Sequence, residues 1–192
     1  MPFLDAFLAP PRQYTVAPFW FLNDALDETE MRRQLDDFEA HGVHGFVPHA
    51  RIGLPEDIGF MSDRYLHFLK VAVDYAAQKN MVVILYDEGM YPSGSCAGRV
   101  VAANPRHATR CLERRPVARP ELAPDESIVA QDERYAYVHS RSMGTIRGVH
   151  YGTDDGESAP PAGDILNPEA VASFLHLTHD RHYDVLGAHF GK

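Results

Sequence analysis

Cysteine is nearly absent from this chain. Cys96 and Cys111 are the two it has, and they form no CxxC pair. A disulfide framework and a cysteine-based zinc site are thereby excluded, and two reduced, partly buried thiols are expected. Clustered cations are missing too. The formal net charge is -9 with no Lys/Arg-rich run, whereas phosphate-backbone binding draws on such clusters, so nucleic acid is not an expected partner. No stretch approaches the roughly 18 apolar residues of a membrane span. The mildly apolar start, Met1 to Pro11, lacks the basic lead of a signal peptide. No membrane association and a cytoplasmic location are the expectation. There is no P-loop, no GxGxxG and no HExxH, so neither a bound metal nor another cofactor is expected.

What remains is the composition of a globular protein, 45% hydrophobic and 23% charged over 192 residues. That length supports one sizeable core, but falls short of the roughly 250 residues of a complete eight-stranded barrel.

The first hundred residues alternate between two periodicities. Val16 to Leu22 is a short apolar run ended by Asn23-Asp24, as in a buried strand. Asp27 and Glu30 have the spacing of a capping box, and Met31, Leu35 and Phe38 mark one face of the helix that follows. Gly42 closes it, and Gly45 to His49 reads as a second strand, followed by a loop from Ile52 to Met61. A helix is expected from about Asp63 to Lys79, with Asn80 as its stop. Met81 to Tyr86 is the clearest strand, continuously apolar as when both sheet faces are covered. Strand, helix, strand, helix, strand predicts parallel α/β construction.

After Asn104-Pro105 the pattern suggests a short helix carrying Ala108, Cys111 and Leu112. Arg115 to Pro124 reads as irregular. Antiparallel strands are then expected at Ser127–Ala130, Arg134–His139 and Thr145–Tyr151, with a turn at Met143-Gly144 and a polar loop from Asp154 to Gly163. Residues 116–162 thus form a small β-rich insertion. Asn167-Pro168 opens a final helix with Val171, Phe174, Leu175, Thr178 and Tyr183 available for burial.

Ligands of parallel α/β barrels gather at the carboxyl ends of the strands. Polar groups stand at all three predicted ends: Asn23-Asp24, then His49 and Arg51, then Asp87-Glu88. Asp24 also suits a structural cap. Arg51 suits either a clamp on a carboxylate or hydroxyl pair, or an ion pair with Asp87 or Glu88. Asp87-Glu88 is the leading candidate, because carboxylates after an apolar strand must be paired, shifted in pKa, or open to a polar cavity. Neighbours in an extended segment point to opposite sides, so one of the two faces the site. Glycosidases need two carboxylates roughly 5 to 9.5 Å apart, which an adjacent pair does not supply. Tyr91-Pro92-Ser93-Gly94 is a turn by chemistry, and Trp20 and Tyr91 are able to stack on a sugar ring, although a lone Trp is commonly core. His176, His179 and His182 recur every third residue, too widely spread for one ion, and are expected to be exposed or capping.

Pro18-Phe19-Trp20-Phe21-Leu22-Asn23, His49-Ala50-Arg51-Ile52-Gly53-Leu54, and Tyr86-Asp87-Glu88 with Tyr91-Pro92-Ser93-Gly94 together resemble bacterial TIM-barrel glycoside hydrolases that include α-L-rhamnosidase-like members. Thr145 to Gly148, Asp164 through Asp180, and Phe190-Gly191 continue the likeness. The resemblance implies an α/β fold: a partial (β/α) barrel of the first three to four βα units, with the β insertion. It implies an oligosaccharide or glycoside substrate lined by Trp20, Asn23, His49, Arg51, Asp87, Glu88, Tyr91 and Ser93. The acid/base and nucleophile of such enzymes come from later strands. Little or no hydrolysis is therefore expected of these 192 residues, and Asp87 and Glu88 become substrate-contacting or supporting groups. The alternatives are a non-catalytic carbohydrate-binding or interaction module, and a divalent-metal barrel enzyme using Asp87, Glu88 and nearby histidines. Self-association through unpaired sheet edges is a further expectation.

Overall fold

The structure, a computed structural model, describes residues 2–51, 53–89, 93–118, 120–142 and 162–192. Its strands are β1 (Phe19–Leu22), β2 (Gly45–Ala50), β3 (Val82–Val83), β4 (Arg110–Pro116), β5 (Ser127–Gln131) and β6 (Tyr135–Arg141). Its α-helices are α1 (Pro2–Leu8), α2 (Glu28–Ala40), α3 (Asp63–Gln78), α4 (Arg99–Ala103), α5 (Pro168–Leu175) and α6 (Arg181–Leu186). They divide into two compact units, Met1–Met90 with His176–Lys192, and Tyr91–Leu175.

In the first unit β1, β2 and β3 form a parallel sheet in that order, with Phe19 opposite Val47 and Gly45 opposite Val82. The intervening helices make the βαβ construction that the alternating periodicities predict, and no closed barrel forms among the described residues. Asp27 caps α2 by accepting the Glu30 N–H at 2.9 Å. The capping box is only half made, because Glu30 turns its carboxylate to Arg33 at 2.7 Å and to Gln34 at 2.9 Å. Ser62 caps α3 through the Tyr65 N–H, and Asn80, at φ 55°, ends the helical run where expected.

The core of this unit lies between the sheet and the helices. Met31 and Leu35 of α2 are buried, as is Trp20, whose ring packs edge-on against Phe46 at 5.4 Å and Phe38 at 6.1 Å. Tyr65, Leu69, Ala72 and Ala76 are the buried stripe of α3. Each large side chain so buried contributes about 1.5–3 kcal/mol. The opposite sheet face is open: Phe19, Phe21, Val82 and Ile84 are each about half exposed. Two strand expectations are corrected accordingly. The first strand begins at Phe19, not Val16, and β3 is the shortest strand instead of the clearest. Its apolar run packs against helices on one side only, so hydrophobicity overstated its coverage.

The second unit carries an antiparallel sheet ordered β4-β6-β5, with a bulge between Ile128 and Ala130. Ala136, Val138 and Ser140 of β6 are buried in strict alternation. Arg115 forks onto Glu126, both nitrogens lying 2.8 Å from its oxygens. The helix expected around Ala108 to Leu112 is instead one 3-10 turn at Pro105–His107 followed by β4, which pairs along its length with β6. Cross-strand pairing there overrides a Pro start signal. The short helix α4 has no counterpart among the sequence expectations. The expected strand Thr145–Tyr151, its turn at Met143-Gly144 and most of the loop from Asp154 to Gly163 lie outside the described residues. The final helix starts at Pro168, with Asn167 accepting the Glu169 N–H. It takes a π-helical turn at His176–Asp180 before α6. Phe174 and Thr178 are buried as expected, while Val171, Leu175 and Tyr183 are exposed.

Candidate functional site

Strand alternation decides which side chains share the open face of the first sheet. Phe19 and Phe21 of β1, His49 of β2 and Tyr86 beyond β3 gather there. His49 stands 4.2 Å from Tyr86 and 5.6 Å from each phenylalanine, ring centre to ring centre, and Phe19 lies 5.8 Å from Tyr86. Arg51 places its guanidinium 5.1 Å from the Phe21 ring centre, a cation–π stack. His49 is itself buried, and its Nδ1 has no hydrogen-bond partner. Burial, and then the Arg51 charge, push its pKa below the ordinary histidine value, so the imidazole is neutral at pH 7.

The ends of β1 and β2 stay side by side beyond the strands. The Arg51 N–H donates to the Leu22 carbonyl at 2.9 Å, carrying the β1–β2 ladder past β2. Gly53 follows at φ 100°, and a Cβ there would lie 2.1 Å from the Asn23 carbonyl oxygen. Only glycine allows that approach, which fixes exposed Asn23 beside the loop of Arg51. Asp24 accepts the Ala25 N–H at 2.7 Å, a local structural bond.

The remaining candidates fall elsewhere. Trp20, expected as a stacking platform, is 8% exposed on the helix-facing side and donates from Nε1 to Gln34 at 2.7 Å. It is a core residue, and that expectation is corrected. Glu88 has no exposed surface, and its carboxylate accepts the Gly89 N–H at 2.9 Å. Gly89 is required there, since a Cβ would press within 2.8 Å of Phe60. Asp87 turns to the helix-facing side, where its carboxylate lies 3.5 Å from His179 Nε2. Tyr91 lies outside the described residues, and Ser93 is an exposed residue of the second unit.

The helix-facing side holds a feature the sequence reading missed. A cavity of about 800 Å³ is bounded by Val73, Val83, Leu85, Leu186 and Phe190, with Asp87, His179 and His182 in its wall. His182 is 4% exposed, and its Nε2 has no partner. Burial, reinforced by His179 and opposed by Asp87, lowers its pKa to about 4. His176 and His179 are exposed as expected, and the expectation is corrected for His182 alone. A signal was present: Phe174, Thr178, His182 and Leu186 recur every fourth residue, and all four are buried.

Among the described residues no group of three or more His, Cys, Asp or Glu is arranged to hold a metal ion, and no helix is long and apolar enough to cross a membrane. Comparison with protein-family models, with curated proteins and with solved structures found no match.

Proposed function

We propose that this chain is the N-terminal part of a glycoside hydrolase-type (β/α) barrel and contributes a sugar-binding subsite. The supporting observation is the open face of the parallel sheet. Half-exposed Phe19 and Phe21, with Tyr86 beside them, offer apolar ring surface, while the neutral His49 and the Arg51 guanidinium supply hydrogen-bonding groups within it. A sugar ring presents that same pairing of apolar C–H faces and hydroxyls. Asn23, held at the rim by Gly53, adds an amide. Hydrolysis needs two carboxylates facing each other across the scissile bond. Glu88, buried against Gly89, and Asp87, turned to His179, do not offer that arrangement. They act as supporting groups, and the chain binds glycosides without turning them over.

Titration of the 15N-labelled chain with methyl α-L-rhamnoside and short oligosaccharides tests this. Shifts are expected at His49, Arg51 and Phe21, and are weakened in Phe21→Ala. Rapid hydrolysis of aryl glycosides would sink the supporting role of Asp87 and Glu88, and absence of any shift at the open face would sink the subsite. The second reading, a non-catalytic carbohydrate-binding module, is favoured by the same buried Glu88. Tight binding in a stable monomer would select it.

A further inference from the structure

The two faces of the antiparallel sheet in the second unit differ. Direct cross-strand partners share a face, so Ala136, Val138 and Ser140 of β6 lie with Glu113 and Arg115 of β4, where Glu126 closes onto Arg115. The other face carries Tyr135, Tyr137 and His139 of β6 with Leu112 and Arg114 of β4. It is open: Leu112 is 65% exposed, Arg114 and His139 are exposed, and both tyrosines are half-buried. Met90 and His176, on either side of this unit in the sequence, belong to the first unit, so the sheet forms within the chain and not at one of its ends.

Two groups on that face are held in place. Arg114 lays its guanidinium 4.3 Å from the Tyr135 ring centre, which fixes the plane of the fork. Tyr137 is the direct partner of Arg114 across the ladder, their Cβ atoms about 5 Å apart. On its other flank the bulge in β5 sets Ala130, whose methyl leaves that side of the Tyr137 ring open. The charges nearby favour an anion at Arg114. Arg110 and Arg141, at the far end of the face, share Asp125 at 3.0 and 3.7 Å. Asp132 accepts from the Arg134 and Tyr135 N–H groups at 2.8 and 2.7 Å and from the Tyr137 hydroxyl at 3.2 Å. Its charge is thus answered locally, and Arg114 is the smallest of the causes that lower its pKa. Glu133 and Arg134 of the β5–β6 turn oppose one another in sign, and Arg115 answers Glu113 and Glu126 on the opposite face. Arg114 has no ion pair among the described residues.

We propose that this face binds an acidic oligosaccharide, with the pyranose ring of a uronic acid lying on Tyr137 and its carboxylate in the fork of Arg114. A uronate offers a C–H face to an aromatic ring and a planar carboxylate at the rim of that face. A ring and a fixed guanidinium side by side match both. A peptide would take a sheet edge or a groove, whereas this is the flat of a sheet. Nucleic acid would draw on clustered cations, and Arg110 and Arg141 are already bound to Asp125. None of these residues belongs to the sugar subsite of the first sheet, so the two sites stand or fall separately.

The test is titration of the whole 15N-labelled chain with a β-1,4-linked glucuronate trimer. Cellotriose, which has hydroxymethyl groups in place of the carboxylates, is the neutral control. Saturable binding of the uronate with Kd below about 1 mM is expected, with shifts at Leu112, Arg114, Tyr137 and His139. Cellotriose should bind at least about tenfold more weakly. Arg114→Gln should lower the uronate affinity by a similar factor and leave that for cellotriose unchanged, while Tyr137→Leu should weaken both about threefold or more. Arg114 is exposed, so its variant carries the test even if the tyrosine variant unfolds. No saturation, equal affinity for the two trimers, or shifts confined to Phe21, His49 and Arg51 would overturn the proposal. A glutamate trimer or a thymidylate trimer that binds as tightly as the uronate would overturn it too, by showing attraction of charge without recognition of the sugar.

Discussion

Acidification should weaken the first unit before its carboxylates begin to titrate, and His182 should be the main cause. The group is neutral in the folded chain because burial, with His179 beside it, disfavours the imidazolium more than Asp87 favours it. In the unfolded chain it returns to an ordinary value near 6.5. Between 6.5 and about 4 the unfolded state binds the extra proton, so stability is full above 6.5 and declines as pH falls through that window. The gap corresponds to about 3 kcal/mol by pH 4, a large part of the stability of a small domain. His49 adds a loss of the same sign, since burial and Arg51 lower its pKa too. Asp36, Glu39 and Asp74 are also held below their ordinary values by Lys79 and Lys70. Their stabilisation disappears only as pH falls below the ordinary carboxyl range, near 4, so the two windows separate. Urea unfolding at pH 7, 6, 5 and 4.5, followed by fluorescence of Trp20, the one tryptophan, reports on this unit. His182→Leu should be neutral or stabilising at pH 7, because it removes an unpartnered buried nitrogen. Its slope between pH 6.5 and 4.5 should shrink to the residue due to His49. A variant that loses stability as steeply as the parent would refute the assignment.

Three further outcomes follow from the packing. Leu35→Ala should cost about 2–5 kcal/mol in the same urea assay, since Leu35 has no exposed surface between α2 and the sheet. Gly53→Ala should cost about 1–3 kcal/mol, because a Cβ at left-handed φ would strike the Asn23 carbonyl; displaced Arg51 and His49 resonances would accompany the lower melting temperature. In the second unit, Arg115, then Ser140 and the Ala123 N–H, hold Glu126 down to about 2. Its contribution is therefore present above the ordinary glutamate value near 4.5 and is lost as pH falls toward 2, and Glu126→Gln should abolish that acid dependence in the amide exchange of β6.

The parts of the fold legible in the sequence are those where local and tertiary preferences agree. Asp27, Asn80 and Asn167 act at helix ends through bonds to near neighbours, which spacing alone exposes; the Ser62 cap of α3 emerges only in the structure. The βαβ order came from hydrophobic periodicity, and β5 and β6 from short runs of strand-forming residues, those of β6 alternating. Arg110 to Pro116 was opaque for the opposite reason. Its strand exists through pairing with β6, some 20 residues or more away in sequence, and nothing local in Cys111-Leu112-Glu113-Arg114 announces that partner. Met81 to Leu85 misled in another way, because apolar content records what a strand is able to bury and not whether a neighbour covers it.

The candidate site divides along the same line. Grouping Asn23, His49 and Arg51 at successive strand ends required only the order of elements, and the structure brings these three close to one another. Assigning faces required the phase of the alternation, which a single-residue slip inverts. Trp20 and Phe21 are neighbours, yet one ring is core and the other half exposed. Tyr86 and Asp87 part in the same way: Tyr86 meets His49 edge-on on the open face, and Asp87 meets His179 on the helix side. The carboxylate that looked most like chemistry thus belongs to the side that faces the helices. The residues of the proposed sugar subsite are the less conspicuous aromatics on the alternate positions. For the same reason, Asp87→Asn should leave glycoside binding at the open face unchanged, while Phe21→Ala weakens it. The reverse pattern in a titration would show that the phase of the sheet had been misassigned.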